Sequence, residues 1–188
     1  MQHTASWHKL GKLAGLALCG SAASLAANLL RLLLPAADPV SQVSPATERV
    51  LLGLIYSTAG LGVAFSLVCA VPALRGRHAW TLSWGGIAGF GLGVLLSPWS
   101  IWNLVVFVSC LAIAVAPAKR LWWVLFGGLL MAIPLNAAMT VIEAVVMMAF
   151  GVSSQILRDH PQLAQIAKAA VFLYLFNMGV LLGFWNDL

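Results

Sequence analysis

The chain is built from a succession of long apolar runs, broken by prolines and short polar turns, with almost no charge inside them. Only 8 % of its 188 residues are charged and 62 % are hydrophobic. A soluble domain carries roughly 25 % charged residues, and a water-facing surface could not be covered with so few. Lipid is therefore the expected solvent for most of the chain.

A spanning helix needs about 20 apolar residues. The runs give an all-α polytopic transmembrane helical bundle of about six spans, in one membrane-embedded domain over residues 1–188. The spans cover about 13–34, 48–71, 79–96, 99–116, 121–150 and 161–185. Pro35, Pro72, Pro98 and Pro117 close four of them, and Ser44-Pro45 and Pro161 open two, as expected of a residue that fits the first turn of a helix and disrupts its interior. The fifth run would reach about 45 Å as one straight helix. Pro134 is expected to kink it, and residues 144–150 either span or lie at the interface.

Charge and tryptophan orient the bundle. With a cytoplasmic N-terminus, Lys9, Lys12, Arg75, Arg77, Lys119 and Arg120 fall inside, while Arg49 and Arg158 fall outside, with Arg31 and Lys168 near helix ends. That is the positive-inside pattern. Trp7, Trp80, Trp84, Trp122, Trp123 and Trp185 fall at inner ends and Trp99 and Trp102 at an outer turn, matching the preference of indole for the headgroup level. The first run also resembles a signal peptide, with a basic start, Ser21-Ala22-Ala23 and a faint lipoprotein pattern before Cys19. The large Leu18 and the continuation to Leu34 favour a retained helix.

The net charge of +5 does not imply a nucleic-acid partner, because the basic residues are scattered without a stripe. Cys19, Cys69 and Cys110 are read as small packing residues, being odd in number and without metal spacing. There is no phosphate loop, HExxH or GxSxG motif. His3, His8, His78 and His160 lie in the tail or loops, so no haem ligand is expected inside a span. No enzyme, cofactor or metal is expected. Met131, Met139, Met147 and Met148 do not share a helix face and are read as flexible packing.

Two patterns carry information. Gly85, Gly89 and Gly93 repeat every four residues, a helix-packing ladder. Gly20, Ser24, Asn28 and Arg31 form a related stripe on the first helix, as do Gly179 and Gly183 on the last. Second, polar residues within spans crowd toward the outer leaflet, and the inner half reads as nearly pure Leu, Val, Ala, Gly and Phe. Asn28, Arg31, Tyr56, Asn103, Asn136 and Glu143 form the expected ligand or proton pocket, since intramembrane charges default to function. The bland alternative is an Arg31–Glu143 ion pair with interhelical amide bonds.

The expected function is a small transport or substrate-capture protein of the cell inner membrane, multi-pass, with an outward-facing polar pocket, alone or as a subunit of a larger transporter. The alternative is a non-catalytic accessory or assembly subunit of a membrane complex. Expected partners are the lipid bilayer and either membrane subunits or a second copy of the chain.

Overall fold

The computed structural model describes residues 2–33, 45–95, 101–116, 123–124, 141 and 161–188. Every regular element among these residues is helical, and no strand occurs among them. The helices are α1 (Gln2–Leu33), α2 (Pro45–Ala70), the single turn α3 (Pro72–Arg75), α4 (His78–Leu95), α5 (Ile101–Ala114) and α6 (Pro161–Leu182).

α1 begins about a turn before Trp7, well ahead of the apolar run that starts at Leu13. Lys9 and Lys12 end the hydropathy signal but not the helix, because lysine is a good helix former. Leu13 and Ala17 are fully buried in the core, so α1 is part of the bundle. Pro45 opens α2, where its missing N–H would have no helical partner anyway. α2 stops before Pro72. Val71 is extended (φ −109°, ψ 105°), as the ring of a following proline requires. α3 then closes on Gly76, and buried Leu74 pins this turn to the core. Most of the long fifth run lies outside the described residues.

The pairs α1–α2, α2–α4, α4–α5 and α1–α6 run antiparallel, while α6 lies parallel to α2 and α5. α2 packs most extensively on α4, while α1 packs on α2 and α6, and α5 packs on α4. The α5 ring of Phe107 meets Phe176 of α6 with centroids 5.7 Å apart. Along α2 and α4, Gly53 meets Gly93, Tyr56 and Ser57 meet Gly89, and Gly60 meets Gly85. At these levels a Cβ on the glycine would run into the partner's backbone. The absence of side chains is what lets the two helices touch main chain to main chain. Ser57 Oγ adds a hydrogen bond to the Gly86 carbonyl (3.1 Å).

One helical stretch among the described residues, Arg49–Ala70, is long and apolar enough to cross a membrane, and half of it is buried inside the bundle. Among the described residues large apolar side chains face outward: Trp7 (70 %), Leu18 (61 %), Leu54 (57 %), Phe65 and Ile87 are all exposed.

The contact makes a measurable distinction between glycines. Gly60→Ala should destabilise the purified protein by about 1–3 kcal/mol through overpacking. Gly11, which has open space around its Cβ position, should gain up to about 1 kcal/mol of helix propensity as Gly11→Ala. Unfolding midpoints of the two variants check this; equal shifts would mean the α2–α4 approach is not tight.

Candidate functional site

The backbone places four of the six expected pocket positions. Asn28 and Arg31 sit in the last turns of α1, and Asn103 sits in the first turn of α5. Because the helices alternate in direction, these positions share one end of the bundle, opposite Lys9 and Arg75. Tyr56, half-buried, lies on α2 with its carbonyl oxygen against Gly89. The side chains of Asn28, Arg31 and Asn103 lie outside what the structure describes, as do Asn136 and Glu143 altogether. Trp99 and Trp102 are outside it too.

The opposite end is basic. Lys9 Nζ donates to the Trp185 carbonyl (3.4 Å) and Lys12 Nζ to Leu188 O (3.2 Å). Both side chains thus reach the turns that follow α6, tying the start of α1 to that end of the bundle. Arg75 and Arg77 are exposed on the turn into α4 at the same end. Trp123 also reaches α6: its Nε1 donates to the Gly179 carbonyl (3.3 Å), and its ring occupies the space left by Gly183.

The described side chains place the best-formed polar constellation elsewhere than the expected pocket, between α1, α2 and α6. Ser66 Oγ lies 2.8 Å from the Leu16 carbonyl and 3.0 Å from the Gly62 carbonyl, so its single proton serves both. Asn177 Nδ2 donates to Ser66 Oγ (2.9 Å). Asn177 is 0 % exposed. Among the described residues its Oδ1 has no hydrogen-bond partner. Gly20 makes room for this node, since a Cβ there would stand 2.6 Å from Asn177 Nδ2 and from the Gly62 carbonyl. Ser21 and Ser24 are buried nearby on α1, with Ser21 Oγ bonded back to the Ala17 carbonyl (3.0 Å). Thr81, also buried, donates to the Ala114 carbonyl (3.2 Å) and ties α4 to α5.

Ser66 and Asn177 lie toward the basic end, and neither was singled out in the sequence. The available signals were Gly62 and Ser66 one turn apart on α2 and the carboxamide of Asn177 inside an apolar run. The stripe of Gly20 and Ser24 on α1 did point toward it. Cys19 also departs from expectation, being exposed on α1 rather than packed inside, while Cys69 and Cys110 are half-buried. Among the described residues no three His, Cys, Asp or Glu side chains gather as a metal site.

Ser66 and Asn177 should be energetically coupled. Ser66→Ala leaves the carboxamide without a partner and should cost about 1–3 kcal/mol, whereas Asn177→Leu removes both polar atoms and should be close to neutral. In the double variant the Ser66→Ala penalty should largely vanish. Strictly additive unfolding energies would show that the two side chains do not interact.

No family model matches the chain, and neither a curated protein nor a solved structure matches it significantly.

Proposed function

We propose that the chain is a six-span protein of the cell inner membrane, with a cytoplasmic N-terminus, that captures or transports a small polar ligand. The observation that carries this reading is the inverted polarity of the bundle. Large apolar side chains such as Leu18, Leu54, Phe65 and Ile87 face outward. Ser66, Thr81 and Asn177 are buried and hydrogen-bonded between helices. A protein dissolved in water rarely exposes apolar surface on this scale. In lipid, polar groups turn inward, pair with one another and mark ligand or ion pathways. The gathering of Lys9, Lys12, Arg75 and Arg77 at one end supports placing that end in the cytoplasm.

The ligand enters from the other end, where Asn28, Arg31, Tyr56, Asn103, Asn136 and Glu143 form an outward-facing pocket in this reading. The chain has no nucleotide-binding motif, so an ion gradient or another subunit supplies any energy. The accessory-subunit alternative loses its main ground. Its natural docking surface would be the Gly85, Gly89, Gly93 ladder, and α2 of the same chain already occupies it.

Two measurements test the proposal. In a background with the three native cysteines replaced by alanine, Arg77→Cys should react with a membrane-impermeant maleimide only in inverted vesicles, and Ser44→Cys only in right-side-out ones. The opposite pattern would reverse the topology. Purification from the native host in mild detergent, followed by mass spectrometry, should recover a small molecule that is lost in the Arg31→Ala/Glu143→Gln double variant while the protein stays folded. Retention of the same molecule by that variant would sink the pocket.

A further inference from the structure

The turn between α2 and α4 carries two cations on a fixed frame. The Arg77 backbone N–H donates to the Leu74 carbonyl (3.0 Å), and the Leu74 N–H to that of Val71 (3.0 Å). Leu74 itself is fully buried. His78 Nδ1 lies 3.0 Å from the Arg75 carbonyl. The Arg75, Arg77 and His78 side chains are all exposed on this frame. No acidic residue occurs in the sequence between Glu48 and Glu143. Among the described residues neither guanidinium has an ion-pair or hydrogen-bond partner.

The helix that follows continues the same face. The Arg77 carbonyl accepts the Thr81 N–H (3.0 Å), so Arg77 stands in helical register with α4. Steps of three and four from Arg77 reach Trp80, Trp84, Ile87 and Gly91, which share one side of a helix. Trp80 and Ile87 are about half exposed, and the space beside Gly91 is open. The Trp80 and Trp84 rings meet edge to face with centroids 5.7 Å apart. The stripe thus runs from guanidinium through indole to apolar side chain and bare backbone. That is the order of phosphate, headgroup boundary and acyl chain across the edge of a bilayer.

We propose that this face holds one anionic phospholipid, with Arg75 and Arg77 on its phosphate and an acyl chain along Trp80, Trp84, Ile87 and Gly91. Guanidinium meets phosphate with paired N–H donors, and basic clusters beside spans favour anionic lipids. A zwitterionic lipid offers the same phosphate but adds a cation, which two arginines repel. The proposal rests on the reading of the chain as a membrane protein and not on the pocket at the other end.

The test is native mass spectrometry of the full chain in detergent, titrated with phosphatidylglycerol or with phosphatidylcholine of the same acyl chains. Phosphatidylglycerol should bind about tenfold tighter or more. Arg75→Gln/Arg77→Gln should erase that preference, and Arg49→Gln, at the opposite end of α2, should keep it. Equal binding of both lipids, or a preference that survives in the double variant, overturns the site. Displacement of the lipid by an equal concentration of glycerol 3-phosphate overturns it too, since the occupant would then be a soluble anion. Should the double variant fail to fold, Arg77→Gln alone should lower the preference several-fold, and no change there overturns the site equally. Carbonate washing of native membranes keeps the two readings apart. A chain released by carbonate overturns both, and a chain retained without lipid preference overturns the site alone.

Discussion

The rest of the bundle depends on the approach of two helices to the backbone of α2. Gly60 and Gly62 are two residues apart, about 200° around a helix, so they open opposite faces. On one face Gly53 and Gly60 admit α4, and on the other Gly62 admits Gly20 of α1. α2 is therefore a two-sided helix with α4 and α1 drawn against its main chain. Backbone approach of this kind brings close packing and weak Cα–H···O contacts to both interfaces. Glycine contributes here by what it lacks.

That approach also sets where polar atoms can go. With α1 and α2 this close, the Leu16 and Gly62 carbonyls come within reach of one hydroxyl, Ser66 Oγ. A serine bonded only to its own helix would be a local detail. A serine bonded across to Leu16 becomes a bridge, and Asn177 extends the bridge to a third helix. The polar node is thus a consequence of the glycine contact, and widening α1 from α2 would dismantle it.

The parts that were legible in the sequence are those with a local signature. Prolines mark where α2 and α6 begin and where α2 ends, because a missing N–H and a ring clash act within a turn. The Gly85, Gly89, Gly93 ladder is visible because its period is that of the helix, although the sequence does not say whether its partner is in the same chain. The helical reach of α1 ahead of Leu13 was not legible, because Lys9 and Lys12 break the apolar run without breaking the helix. Asn177 was missed for a different reason. Its partner Ser66 is 111 residues away, and one carboxamide in an apolar run carries no periodicity. Of the expected pocket, alternation of helix direction brings Asn28, Arg31 and Asn103 to one end, but a pocket is a matter of side chains.

The two kinds of contact in this bundle do different work. Main-chain contact between α2 and α4 fixes distance, since no rotamer change at a glycine can relieve or replace it. α6 is joined in another way. Side-chain donors hold it: Lys9 to the Trp185 carbonyl, Trp123 to the Gly179 carbonyl and Asn177 to Ser66. Such bonds are directional and fix the rotation and register of α6, and each contributes only about 0.5–1.5 kcal/mol net. Aromatic packing of Phe176 against Phe107 adds contact without direction. A close-packed α1–α2–α4 core thus carries α6 registered on it by separate polar bonds.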